Sequence, residues 1–271
     1  MGDIGNFVRW TCLVGMRSRM TWLVSILTIC LLLGAWLAEA FSARQPLVVA
    51  LDVGISGVRL SLLFLGLAWV NEFIGRDIER KNLFWVLGLP ISRASYLAGR
   101  VAGILALLAI SSSVLCGALV LLGTSASWGY ASSSRPFLSV AGVGLVMAGI
   151  WLEVLLVTFF ALCIQAISRT PFLPMVLGLA FAIAGRGMHG ALNFLLYDED
   201  APMSVKAGVL PLLQWIQWLI PDLSRLDFRT ALLYDLWPEP EMLTHVLMAS
   251  GLYLIGLYGV AIFLFSHRQM D

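Results

Sequence analysis

The sequence predicts an all-α, polytopic membrane protein with six transmembrane helices. Three observations lead there. Hydrophobic residues make up 60% of the chain and charged residues only 12%, against roughly 45–50% and 25% in an ordinary soluble domain. The apolar residues are gathered into long runs, and about 20 such residues are what a hydrocarbon core needs. Most of the charged residues fall between those runs.

Residues 1 to 19 carry Arg9, Arg17 and Arg19 among Phe7, Val8, Trp10, Leu13 and Val14. Phe7, Trp10 and Val14 approximate one helical face, the pattern of an amphipathic helix lying on a membrane surface; a plain basic flank fits the same residues. The first span is Met20 to Leu37, an apolar run of 18 residues. Ala38-Glu39-Ala40 resembles a cleavage site, but the run is longer than a signal-peptide core and reads as a retained anchor. The second span is placed at Gly57 to Ile74 and the third at Ala94 to Leu122. That third helix exceeds the membrane thickness, so its first turns, including Arg100, are expected to protrude. Gly99 and Gly103 give it a small-residue face for close packing.

A polar loop from Ser125 to Arg135 leads to a fourth span at Leu138 to Ile167, and Ser168 to Pro171 makes a tight return. The fifth span follows at Phe172 to His189. Residues 190–242 form the longest non-spanning segment, with an acidic patch at Asp198 to Asp200. Its Val209 to Ile220 stretch carries Trp215 and Trp218, which suit a membrane interface. Leu243 to Phe265 is the sixth span. An even number of spans puts both termini on one side. Placing them in the cytoplasm puts ten of the 17 Lys and Arg residues inside, the direction the positive-inside rule favours. The expected location is the cell inner (plasma) membrane, with 190–242 extracytoplasmic.

One stretch, Glu72 to Gly103, joins the second and third spans. Arg76, Asp77, Glu79, Arg80 and Lys81 must sit in water beside the membrane. Leu83 to Leu87 are then five consecutive apolar residues, far short of the roughly 20 needed to cross. Gly88 and Pro90 end this short helix and Ser92 can cap the next. An apolar knob beside the bilayer needs either the lipid interface or another protein to bury it.

This stretch resembles the region after the second span in ABC type-two permeases, the membrane half of a class of ATP-driven exporters. The resemblance lies in the charged turn Asp77 to Lys81, the leucine-rich Leu83 to Leu89, the element Pro90-Ile91-Ser92-Arg93, and Gly99-Arg100. Ile220 to Arg229 is similar to a segment that some of these permeases place before the last span. The resemblance implies an N-terminal elbow helix at 1–19 and a cytoplasmic coupling helix within 75–91. It also implies two separate ABC ATPase subunits as partners and a second permease copy or a homologous permease. The ATPase-docking residues would be Arg76, Asp77, Arg80, Lys81, Leu83, Phe84, Leu87, Pro90 and Arg93.

No G-x-x-x-x-G-K-[ST] loop occurs, so ATP and Mg are expected in the partner ATPase and no cofactor in this chain. Cys12, Cys30, Cys116 and Cys163 are scattered, as are His189, His245 and His267; neither set has metal-ligand spacing. The net charge of +1, without a basic stripe, gives no reason to expect nucleic acid. The chain is therefore expected to be a non-enzymatic permease subunit in contact with membrane lipid. Two alternatives stay open: the same machine transmitting motion to an extracytoplasmic partner without moving cargo, and an intramembrane lipid-modifying enzyme.

Glu153 and Arg186 lie within apolar runs, where an unpaired ionisable side chain costs about 2.5–3.5 kcal/mol. If the fourth and fifth spans form a hairpin about Ser168 to Phe172, both residues stand about 21–22 Å above the turn. That depth makes them candidates for an intramembrane charge pair. Alternatively, Gly185, Gly187 and Gly190 end the fifth helix early and leave Arg186 in water.

Overall fold

A computed structural model describes residues 2–42, 46–79, 92–126, 139–168, 170, 172–197 and 221–267. Every regular element among them is helical. Helix α1 is Gly2–Met16 and α2 is Arg19–Phe41. Helix α3 runs from Pro46 to Val70 and continues through a π-helical turn, Asn71–Gly75, into a last turn at Arg76–Glu79. Then come α4 at Arg93–Ala126, α5 at Val140–Ile167 and α6 at Leu173–Tyr197. A 3-10 turn at Leu223–Leu226 and the short α7, Arg229–Tyr234, precede α8 at Pro240–His267.

Helices α2, α3, α4, α5 and α8 are long and apolar enough to cross a membrane, whereas the apolar part of α6, Leu173–Met188, is shorter. The chain is a multi-pass membrane protein. Its helix starts follow local chemistry. Ser18 and Ser139 cap α2 and α5, accepting hydrogen bonds from the Thr21 and Gly142 amides at 3.2 and 3.0 Å. Pro46 and Pro240 open α3 and α8, where a missing N–H leaves no bond unmade.

Helices α3 and α5 are central, with 56% and 67% of their apolar windows buried against 17% for α2 and α8. A charge on α3 or α5 must therefore find its partner inside the protein. Helices α2 and α8 turn Trp22, Ile26 and Leu33, and Leu252, Ile255 and Phe263, outward, as helices bathed in lipid do.

Three expected boundaries need correction. The second span starts at Pro46, not Gly57; Asp52 interrupts its hydropathy, but it pairs with Arg229 within the fold, so the helix runs through it. Helix α6 continues through Gly185, Gly187 and Gly190 to Tyr197. Helix α8 begins at Pro240, so the helices encroach on 190–242 from both ends. Residues 198–220, with the acidic patch and the Trp215 stretch, lie outside the described residues.

The bundle has two polar ends. At the α1 face, α1 packs on α4, the end of α3 meets the start of α4, and the Arg93 guanidinium donates to the Ser266 carbonyl of α8 at 2.9 Å. The far face gathers the starts of α3, α5 and α8, the end of α6, and the folded segment 221–239.

Candidate functional site

Segment 221–239 reaches the far face because two glycines let it in. A Cβ on Gly149 of α5 would overlap the Leu226 carbonyl oxygen and stand 2.8 Å from the Phe228 ring. A Cβ on Gly185 of α6 would stand 2.8 Å from Leu223 and 3.1 Å from the Pro221 carbonyl. This close seating buries Leu223, Leu226 and Phe228 against the spans. It also delivers Asp227 to a cluster of charges.

Arg59 of α3 lies between Glu153 of α5 and Asp227, with contacts of 3.1 Å to Glu153 Oε2 and 2.9–3.0 Å to the Asp227 carboxylate. Arg186 of α6 bridges the same two acids, at 2.7 Å to Glu153 Oε1 and 3.2 Å to Asp227 Oδ2. Arg229 holds Asp227 at 3.0 Å and donates to Asp52 Oδ1 at 2.5 Å. Three carboxylates and three guanidinium groups thus alternate through the cluster. Exposure is graded along it: the Glu153 side chain is 0% exposed and Arg59 5%, while Asp52 reaches 46%. The series climbs from the middle of α5 to the rim of the far face.

Alternation is what makes the depth tolerable. Arg59 and Arg186 are like charges held close together by the two acids between them, and removing either acid leaves a single carboxylate to separate the two cations. Two Arg59 nitrogens, Nε and Nη2, contact carboxylates without hydrogen-bond alignment, so the ionic term outweighs the geometric one there. Burial raises the Asp227 carboxyl, but hydrogen bonds from Arg59 and Arg229 outweigh it and hold the group well below the ordinary carboxylate range. Acids clasped by several cations are poor proton acceptors.

A second cluster lies at the α1 face. Arg100 of α4 donates to Asp77 at 2.5 Å and to Thr11 of α1 at 3.2 Å. The Tyr96 hydroxyl donates to Asp77 at 2.6 Å. Arg76 pairs with Glu72 one turn away. Gly103 faces Thr11, so this glycine of the small-residue pair seats α1. The Arg100 side chain is 12% exposed, packed within this cluster. Its length lets the guanidinium reach back to the acid at the end of α3.

Glu153 and Arg186, placed at one depth from the sequence, are in direct contact as part of a larger set. Arg59, Asp227, Arg229 and Asp52 were not singled out. Arg59 had a readable signal, a cation inside an apolar run; the other three lie outside the expected spans. Of the docking residues, Arg76, Asp77 and Arg93 are paired at the α1 face as described. Arg80, Lys81, Leu83, Phe84, Leu87 and Pro90 lie outside the described residues. Comparison with known proteins finds no matching family model and no matching curated relative.

Proposed function

We propose that this chain is the transmembrane permease subunit of an ATP-driven ABC transporter, working as an exporter with ATPase activity in separate partner chains. The observation that carries the reading is α3, a single helix of 34 residues from Pro46 to Glu79 with a charge cluster near each end. Arg59 and Asp77 stand about 27 Å apart along it, close to the thickness of a hydrocarbon core. The charged turn leading into 80–91 is braced by Arg100, Tyr96 and Thr11 on two other helices. A push on that turn moves α1, α3 and α4 together, and α3 carries the displacement through Arg59 to α5, α6 and segment 221–239. Such motion is the conformational output a coupling element needs. Catalysis by this chain is not required, since Glu153 and Asp227 are occupied by arginines.

In this reading the α1 face is cytoplasmic, the membrane is the inner (plasma) membrane, α6 is the remaining span, and ATP and Mg belong to two ATPase subunits. The link from Arg59 to Asp227 also favours a second reading, in which motion of α3 drives an extracytoplasmic partner through segment 221–239 without cargo crossing.

The test is affinity purification of the tagged chain from its own membranes in mild detergent. A P-loop ATPase in near-equal amount is expected, and Phe84→Asp should release it while the permease elutes unchanged, since losing an aromatic anchor commonly costs about 2 kcal/mol or more. A preparation free of ATPase, or one that keeps it with Phe84→Asp, overturns the proposal.

A further inference from the structure

At the α1 face a cleft of about 880 Å³ opens between α1, the first turn of α2 and the last turns of α3. One wall is apolar: Trp10, Leu13 and Val14, which are 68%, 47% and 37% exposed. The other wall is cationic, from Arg17, Arg19 and Arg76. Glu72 and Glu79 also line the cleft, leaving a formal charge of +1 from three arginines and two glutamates. Glu72 is taken up by Arg76, whereas Arg17 and Arg19 have no ion-pair partner among the described residues.

The two free arginines sit on a fixed hinge. The Thr21 hydroxyl donates to the Gly15 carbonyl at 2.6 Å, and the Trp69 indole donates to Thr21 at 3.0 Å, so the short link between α1 and α2 is tied to α3. Its depth is also set. Helix α2 has 23 residues and spans about 34 Å, slightly more than a hydrocarbon core of about 30 Å. Arg19, its first residue, therefore stands at headgroup level, where an exposed tryptophan such as Trp10 is also at home.

We propose that this cleft binds an anionic glycerophospholipid, its phosphate on Arg17 and Arg19 and the upper part of its acyl chains along Trp10, Leu13 and Val14. The cationic wall selects the phosphate, the apolar wall selects a tailed ligand over a free anion, and Glu79 adds no attraction for a second negative group beyond it. The site does not depend on the transport reading, only on the chain being embedded in a membrane.

The test is native mass spectrometry of the full-length protein, delipidated in detergent and titrated with phosphatidylglycerol or with phosphatidylcholine of the same acyl chains. Phosphatidylglycerol should be retained about tenfold better, and Arg17→Gln with Arg19→Gln should remove most of that preference, as expected for two interfacial arginines. Arg9→Gln, on α1 but outside the cleft lining, should leave the preference intact. Leu13→Asn should weaken retention of both lipids. Glycerol 3-phosphate in excess should displace neither. Equal retention of the two lipids by the wild type, undiminished preference in the double variant, or displacement by glycerol 3-phosphate would each overturn the site. If the double variant does not fold, the wild-type ratio and the Leu13→Asn measurement decide.

Discussion

The two charge clusters use the same chemistry but differ in construction. At the α1 face the pairs are short-range: Glu72 with Arg76 on one helix, and Asp77 with Arg100 across a single connection. At the far face Arg59 reaches an acid 168 residues away, and the group draws on α3, α5, α6 and segment 221–239. The α1-face ion pairs join neighbouring elements, with hydrogen bonds from Arg100 to Thr11 and from Arg93 to Ser266 reaching further, while the far-face ion pairs themselves join parts of the chain that nothing in sequence brings near. In the proposed transport reading, the first kind would receive a push and the second would distribute it.

If that contrast is right, Glu153 is the most costly charge to lose. Glu153→Gln removes the fully buried acid that pairs with both Arg59 and Arg186 and leaves only Asp227 between them, so stability should fall by about 3–5 kcal/mol, read as a lowered melting temperature in lipid nanodiscs. Exchanging Glu153 and Arg186 should not restore it, because the new arginine would face Arg59. Adding Arg186→Gln to Glu153→Gln should recover part of the loss, since it removes one of the two opposed cations.

Gly149→Ala tests the seating of segment 221–239 without touching a charge. The added methyl meets the Leu226 carbonyl, and about 1–3 kcal/mol is expected from such overpacking. Protease sensitivity within 221–239 should rise more than sensitivity in the spans.

At the α1 face, Tyr96→Phe removes one hydrogen bond to Asp77 and should cost about 1 kcal/mol, measured by the same melting curve. A loss as large as that of Glu153→Gln would erase the distinction between the clusters.

The smallest effect concerns pH. The Asp227 carboxyl lies below its ordinary value near 3.9, so its contribution is fully present above about pH 4 and is lost as pH falls from there toward the depressed folded-state value. Stability should be flat in this respect from pH 8 to 5. Below pH 4 it should decline less steeply in Asp227→Asn than in the wild type.

Much of the fold was legible because long apolar runs have one physical use. Glu153 and Arg186 were legible for the same reason, as charges that such runs cannot leave unpaired. Asp227 and Arg229 were not, because they lie in a segment outside the apolar runs where a charge needs no explanation, and Asp52 fell just outside the expected second span. The start of α3 lies eleven residues before the expected Gly57, on the far side of Asp52, whose partner Arg229 is far along the chain. The Asp77–Arg100 pair was not legible because it joins the ends of two separate helices.

The claim that α3 links the two faces can be measured directly by spin labels on the exposed positions Phe41 and Leu236, in a variant lacking the four native cysteines and bound to the ATPase that the proposed function requires. The predicted result is a distance distribution that shifts when ATP binds and stops shifting in Arg59→Met. A distribution indifferent to ATP, or an ATP-driven shift that survives Arg59→Met, would contradict the account.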